Sequence, residues 1–433
     1  MGQSPKSSLY NEDGKGLPFY QGKAEFGANY PSPVKWCSKP GKIAEKGDVL
    51  ISVRAPVGPT NICQERSCIG RGLAAVRPLG GMQTQYLRYW LSIKQRELEA
   101  KATGTTFQAI LGETLRSLEI NLPPLPEQKR IVAKIESLFS RLDSAKDSLI
   151  RVRAEIKRYR QAVLKWAFEG KLTESRIKYK DIVINGVRAE LCDYWKVYRM
   201  GDLIKLQGGF AFKSKEFVLD GIPIVKIANV NVESIDWSDK SYIEKNRLGE
   251  FKNYQLKSGD ILIAMTRPVI KSLNTVKVVV VRESDLPALL NQRVGRFILG
   301  KQVNNNYLKY YICTDFFKKR VILESSSSQQ PNISSNNVEN FDLVLPESMS
   351  KQLIVVQAIE SRFERAKVLE DAVAQGLSQI ERLKQSILKK AFEGNLVAPD
   401  PSDEPVEILL ERIKKEKANL EAGLRMRIKR KNK

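Results

Sequence analysis

The sequence predicts an α+β protein in which two mixed α/β heads are separated by a long antiparallel two-helix coiled coil, the whole forming a pseudo-twofold internal repeat. Three observations carry that prediction. The chain repeats itself in order from one half to the other, each half holds short β-prone runs closed by turns, and each half ends in a long stretch of heptad-spaced apolar residues.

The duplication is the strongest of the three. Gly16-Leu17-Pro18-Phe19 returns as Gly221-Ile222-Pro223-Ile224, and Gly47-Asp48-Val49-Leu50-Ile51 returns as Gly259-Asp260-Ile261-Leu262-Ile263. Tyr86-Leu87-Arg88-Tyr89-Trp90-Leu91 returns as Tyr307-Leu308-Lys309-Tyr310-Tyr311-Ile312. Residues 135–172 align without a gap on 359–396, while the segments before them share only scattered anchors. A constant helical frame carrying two variable heads is the simplest reading. It divides the chain into a head over residues 1–126, a helix over 127–173, a linker over 174–193, a second head over 194–346, a second helix over 347–397 and a basic helical tail over 398–433.

Within each head, the runs after Gly-Asp are short and β-prone and are closed by a proline turn. Residues 118–122 and 341–345 alternate as half-buried strands do. Residues 86–98 and 307–322 each read as a single helix. Between that helix and the last strand lies a polar loop, with Thr105, Thr106 and Gln108 in the first head and Ser328, Gln329 and Gln330 in the second. Short hydroxyl and amide side chains can donate to phosphates or base edges; a solvated surface loop reads the same way.

The frame itself follows a strict four-three spacing: Ile131, Ile135, Leu138, Leu142, Ala145, Leu149, Val152, Ile156, Tyr159, Val163 and Trp166. Such a seam specifies a coiled coil. Its copy keeps Ile359, Leu369, Ile380, Leu383 and Ile387 but places Arg362, Gly376 and Lys390 in the seam. Glycine costs roughly 1 kcal/mol inside a helix, so local loosening is expected there. Two separate helices, each packed on its own head, are the competing arrangement. Antiparallel pairing would set the heads at opposite ends of a bar, since about 36 helical residues rise roughly 54 Å.

Composition narrows the function. The chain carries 72 Lys and Arg against 49 Asp and Glu, a formal charge of +23, which suits a polyanionic partner. There is no histidine, which removes imidazole acid-base catalysis and most zinc chemistry. The five cysteines form no C-x-x-C pair and read as reduced thiols. No apolar run is long enough for a membrane span and residues 1–10 lack the apolar core of a signal peptide, so a cytoplasmic protein is expected.

The candidate contact residues occupy matched places in the two heads. Gln21 and Lys226 follow the first repeated run, and Arg54 and Arg267 stand beside prolines after the Gly-Asp strand, where they could equally brace the fold. Arg71 and Arg293 lie at roughly corresponding positions and are candidates for guanine or phosphate contacts. The tail over residues 411–433 holds ten Lys or Arg against three Glu, as a solvated face, a phosphate-attracting helix or a dock for an acidic partner would. The run Asn121-Leu122-Pro123-Pro124-Leu125 departs from an amino-methyltransferase motif by an inserted Leu and has no glycine-rich cofactor loop before it.

Leu122-Pro123-Pro124-Leu125-Pro126-Glu127-Gln128-Lys129-Arg130-Ile131-Val132, followed by a long helix ending Ala167-Phe168-Glu169-Gly170-Lys171-Leu172, resembles the spacer of the specificity subunits of type I restriction-modification systems. Met1-Gly2-Gln3-Ser4-Pro5, Val53-Arg54-Ala55-Pro56-Val57-Gly58, Ile69-Gly70-Arg71-Gly72-Leu73 and Gly208-Gly209-Phe210-Ala211-Phe212 extend the resemblance into both heads. It implies two target-recognition domains that read a split duplex DNA target through the major groove, with no catalytic centre and no cofactor in this chain. Two modification subunits carrying S-adenosylmethionine would dock on the coil, and restriction subunits with ATP and Mg would join them. A methyltransferase-only system, a coiled-coil adaptor that touches no DNA, and an enzyme acting alone are the rivals. Residues 192–206 have no counterpart before Gly2, so the first head is expected to lack an edge strand.

Overall fold

The computed structural model describes residues 1–103, 109–174, 177–231, 234–270, 275–325 and 331–431, with side chains of the tail described as far as residue 423. The chain divides into two compact units, Met1–Leu149 with Ala374–Lys433, and Ile150–Val373.

In the first unit Val49–Ser52 is the organising strand. It follows the Gly47-Asp48 turn, where Gly47 has φ +88°, and pairs antiparallel with Thr60–Ile62 on one side and Leu73–Val76 on the other. Both of its faces are buried, as alternation requires of a strand covered on two sides. Val49 and Ile51 pack with Leu87, Trp90 and Leu91 of the helix Thr84–Ile93, while Leu50 packs with Tyr20, Ile69 and Leu73. Beside it a five-stranded sheet contains one parallel pair, Leu17–Tyr20 with Ser67–Ile69.

The second unit repeats the plan. Ile261–Ala264 follows Gly259, again at φ +88°, and pairs antiparallel with Val278–Val280 and Val294–Leu299. Ile261 and Ile263 face one core while Leu262 and Ala264 face another. Ile222–Val225 runs parallel to Leu289–Leu290, as its counterpart does in the first unit. In both turns the aspartate caps the loop and grips an arginine. Asp48 accepts from the Glu45 N–H at 2.8 Å and from Arg77 Nε and Nη2, each at 2.8 Å. Asp260 accepts from the Lys257 N–H at 2.8 Å and from Arg296 Nη1 at 3.2 Å.

The long helices are Leu125–Phe168 and Met349–Phe392, 44 residues each, and the boundary between the units falls inside both. Within each unit the two run antiparallel. In the first, Asp143 meets Lys384 at 2.5 Å and Lys146 meets Glu381 at 2.8 Å, and Ile131 and Ile135 pack with Leu388 and Ala391. In the second, Arg160 forks onto Glu370 with two bonds of 3.0 Å and lies 4.6 Å from the Phe363 ring centre. The pairing is therefore a coiled coil rather than two separately docked helices.

Several expectations are corrected. The seam is narrower than its heptads: Ile131, Ile135, Ile156, Val163, Ile359 and Ile380 are buried and Leu138, Leu142, Leu149 and Ile387 half-buried, but Leu369 is 55% and Leu383 41% exposed. Toward Phe168 the buried face widens to Leu164 and Ala167 because the helix enters the core of the second head. Gly376 is a close-packing point and not a fault, since a Cβ there would stand 2.9 Å from Leu149 Cδ1. Residues 174–193 are not a loose linker; Tyr179–Ile184 and Val187–Cys192 form a hairpin whose Leu191 and Cys192 are fully buried. Each head helix is split in two, Thr84–Ile93 with Gln95–Ala100 and Asn305–Tyr311 with Asp315–Ser325. Residues 118–122 form no strand, whereas Asp342–Leu345 pairs with Lys196–Arg199. The difference is the partner, because no described strand takes the place of Lys196–Arg199 in the first unit.

Gly170 and Gly394 close the long helices with φ +84° and +77°. A Cβ at Gly170 would stand 2.8 Å from Cys192 Cβ, while at Gly394 nothing lies within 4 Å. Gly394→Ala is expected to cost only the left-handed backbone penalty, about 1–2 kcal/mol, and Gly170→Ala to cost a further 1–3 kcal/mol or so from overpacking. Urea unfolding of both variants followed by tryptophan fluorescence compares the two costs; equal costs would contradict the assigned packing.

Candidate nucleic-acid interface

Each head has one corner where four short segments converge. In the first head, parallel pairing of Phe19 with Cys68 and Tyr20 with Ile69 ends both strands together, and the Gly70 N–H donates to Tyr20 O at 2.8 Å. Gln21 thus lies against Gly70-Arg71-Gly72. The approach is close at both glycines: a Cβ on Gly72 would stand 2.4 Å from Gln21 O and one on Gly70 3.1 Å from Gln21 Cα. The Val53 N–H donates to Gly72 O at 2.9 Å, which brings in Arg54. Gln21, Arg54 and Arg71 are all exposed, and with Lys23, Glu25 and Ser52 they line one open hollow of about 570 Å³. Arg54 bridges Ala109, as does Thr103, so the flanks of the polar loop are fixed at the same corner. Burial pushes the phenol of the preceding Tyr20 up to about 12.

The second head builds its corner from the same elements. The Asn291 N–H donates to Val225 O at 3.2 Å and the Met265 N–H to Arg293 O at 2.9 Å. Thr266 bridges Asn332, as Arg54 bridges Ala109. This register corrects the sequence correspondence by one position: Gly72 matches Arg293, Arg71 matches Gln292, and Arg54 matches Thr266. Arg293 and Arg267 are exposed, with Arg267 at φ +49° and its N–H held by Pro331 O at 2.7 Å. Lys226 is less free, because its ammonium group donates to Ser241 Oγ at 2.9 Å and pairs with Asp239 at 3.1 Å. Thr105, Thr106, Gln108, Ser328, Gln329 and Gln330 lie outside the described residues.

One contributor was not singled out from the sequence. Phe210, 36% exposed, bridges Asn291 and its carbonyl accepts from the Gln292 N–H at 2.9 Å, while its ring packs on Phe212, Phe251 and Tyr254. Arg296, by contrast, is only 8% exposed and is spent on Gln207, Asn253, Gln255 and Asp260. The Asp48 hydrogen bond likewise holds the Arg77 guanidinium above its ordinary pKa. Neither brace was visible as such, since nothing in sequence separates a buried arginine from an exposed one. Among the described residues no group of His, Cys, Asp or Glu could hold a metal ion, and no described helix is long and apolar enough to cross a membrane.

Twin heads presenting equivalent polar corners, threaded by paired antiparallel helices, define a duplicated recognition scaffold. The family model for the type I restriction modification DNA specificity domain matches residues 1–153 and again 193–368, and the chain belongs to the family of type I restriction-modification specificity subunits. It is 29% identical over 317 residues to the type I restriction enzyme MjaVIII specificity subunit of Methanocaldococcus jannaschii, covering 73% of this chain and 71% of that one. It is 23% identical over 428 residues to the EcoBI specificity subunit of Escherichia coli, covering 95% and 89%. A putative MjaX specificity subunit of M. jannaschii is 40% identical over 177 residues, 40% of each chain. The fold is shared with the HsdS subunit of Thermoanaerobacter tengcongensis, at TM-score 0.52, 17% identity and coverage of 89% and 94%. It is also shared with a chain from a study of type I R-M complex assembly and conformational transition, at TM-score 0.65, 19% identity and coverage of 88% and 92%.

A Cβ on Gly72 would be met by the Gln21 backbone carbonyl rather than by a movable side chain. Gly72→Ala is therefore expected to shift the Gln21 and Arg71 amide resonances while leaving those of the second head unchanged. Shifts in both heads would contradict this placement.

Proposed function

We propose that this chain reads a bipartite duplex DNA target, one head to each half, for modification and restriction subunits that it scaffolds. The observation that carries the reading is the repeated corner: parallel strand ends, an exposed basic or amide pair beside them, and the flanks of a polar loop, assembled twice from equivalent elements. Long exposed arginines can fork onto guanine O6 and N7 in the major groove, and amide side chains can pair with adenine. The formal charge of +23 supplies phosphate attraction without sequence preference. The paired long helices set the separation of the half-sites and offer the docking surface for two modification subunits. S-adenosylmethionine, ATP and Mg belong to the partners in this reading, and catalysis with them.

Replacing residues 1–126 by the corresponding head of a relative is expected to change one half of the methylated target and leave the other intact, as mapped by long-read detection of modified adenine in cells carrying the partner subunits. A change in both halves would overturn one-head-per-half reading. In gel shifts with the modification subunit present, Arg54→Ala and Arg71→Ala are each expected to weaken specific binding by about 1–3 kcal/mol. A base-edge contact predicts a small effect on non-specific DNA, whereas a phosphate contact predicts weakening on both and a shallower salt dependence. Absence of any DNA binding across a salt series, with the partner present, would favour a structural adaptor.

A further inference from the structure

A carboxylate, Asp239, stands at the edge of the second corner, although phosphate repels carboxylates. Antiparallel pairing of Ile222 with Ile243 and of Pro223 with Tyr242 continues through the Ile224 N–H, which donates to Ser241 O at 2.9 Å. Two residues further in each direction, Lys226 and Asp239 come opposite one another, where side chains on paired strands meet. The ammonium group of Lys226 lies 3.1 Å from Asp239 Oδ2 and donates to Ser241 Oγ at 2.9 Å.

The loop between the two residues is folded to hold them. Asn229 is only 1% exposed; its Oδ1 accepts from the Lys226 N–H at 2.9 Å, and its Nδ2 donates to Asp236 O and Asp239 O, both at 2.8 Å. One buried amide thus fixes the backbone of both partners, and a buried amide that loses its bonds is costly. Val230 bridges Ile235, and both are buried. Trp237 Nε1 donates to Asp285 Oδ1 at 2.9 Å, which ties the loop to the body of the head. An ion pair between two free surface side chains is worth little. Here the Lys226 side chain is only 22% exposed and both backbones are already held, so little further ordering is needed to pair them.

The charge left at each corner follows from this. Arg267 and Arg293 are exposed, and among the described residues no carboxylate meets either guanidinium group. Arg54 and Arg71 stand in the same condition in the first head, which has the uncharged Gln21 in the place of Lys226. A lone ammonium group is a compact charge that attracts any phosphate, and phosphate contacts carry no base preference. Asp239 cancels the charge that Lys226 would otherwise add.

We infer that Asp239 is a specificity-determining residue of the second corner: by holding Lys226 in a neutral pair, it keeps that ammonium group off DNA phosphate. Binding at the corner is then left to the groups that read bases. The assignment rests on the DNA reading proposed above. Specificity is a difference of affinities, so weakening attraction to the wrong duplex raises it as a contact to the right one does.

Salt-dependent binding of the full chain with its modification subunit to a random-sequence duplex, followed by fluorescence anisotropy, tests the assignment. Asp239→Asn keeps the shape and removes the charge. It is expected to raise affinity roughly three- to tenfold at low salt and to steepen the slope of log affinity against log salt by about 0.9, one added phosphate contact. Lys226→Gln is expected to leave the slope where it was, and the double variant to behave as Lys226→Gln does. A slope unchanged by Asp239→Asn would overturn the inference. So would a slope made shallower by Lys226→Gln, since Lys226 would then already contact phosphate, or equal steepening by Asp239→Asn with Lys226 replaced, since the effect would not run through Lys226. Each of these outcomes leaves the DNA reading standing. An unaltered complex that binds no duplex at any salt would overturn that reading and the inference together.

Discussion

The candidate interface depends on one backbone constraint, the two-residue parallel pairing that ends Leu17–Tyr20 level with Ser67–Ile69, repeated as Ile222–Val225 with Leu289–Leu290. Parallel strands finish on the same side, so the residues that follow them meet without any side-chain bond to hold them together. The pairing is buried on both faces, with Tyr20, Ile69, Val225 and Leu290 at most 2% exposed, and the corner is thus fixed by core packing. Its exposed side chains are left free to differ between heads. Where the first head has Arg71 and Gly72, the second has Gln292 and Arg293, a change of two side chains on an equivalent backbone register. That separation of a fixed frame from a variable exposed surface is what the proposed recognition requires.

The long helices solve a different problem. Ion pairs such as Lys146–Glu381 are exposed and worth little, so they bias register and orientation more than they stabilise. The close approach of Leu149 to Gly376 and the fork of Arg160 on Glu370 beside Phe363 are more demanding of geometry. One lies in each unit, where a shift of one residue would separate them.

Much of this was legible in order but not in depth. The duplication, the Gly-Asp strands, the long helices and the helical tail follow from repeats and periodicity, which survive divergence because buried positions change slowly in character. The heptads overran the true seam at Leu369 and Leu383, since an apolar residue at the right spacing says nothing of what faces it. The 174–193 segment read as a linker because its polar residues hide the alternation of a hairpin. Residues 118–122 alternate as a strand should, yet strand formation is decided by a partner elsewhere in the chain. At the corner, Gln21, Arg54 and Arg71 were found from matched positions. The one-residue offset between Arg71 and Arg293, the tethering of Lys226 and the proximity of Phe210 are matters of backbone register that spacing alone cannot supply.

The central claim is that two heads read two half-sites at a separation set by the paired helices. Its most direct test is binding of the chain with its modification subunit to a series of duplexes in which the unread bases between the half-sites are lengthened or shortened one pair at a time. The account predicts a single preferred spacing, with affinity falling sharply when one or two pairs are added or removed and each half-site alone bound only weakly. Equal affinity across spacings, or full affinity for one half-site alone, would contradict it.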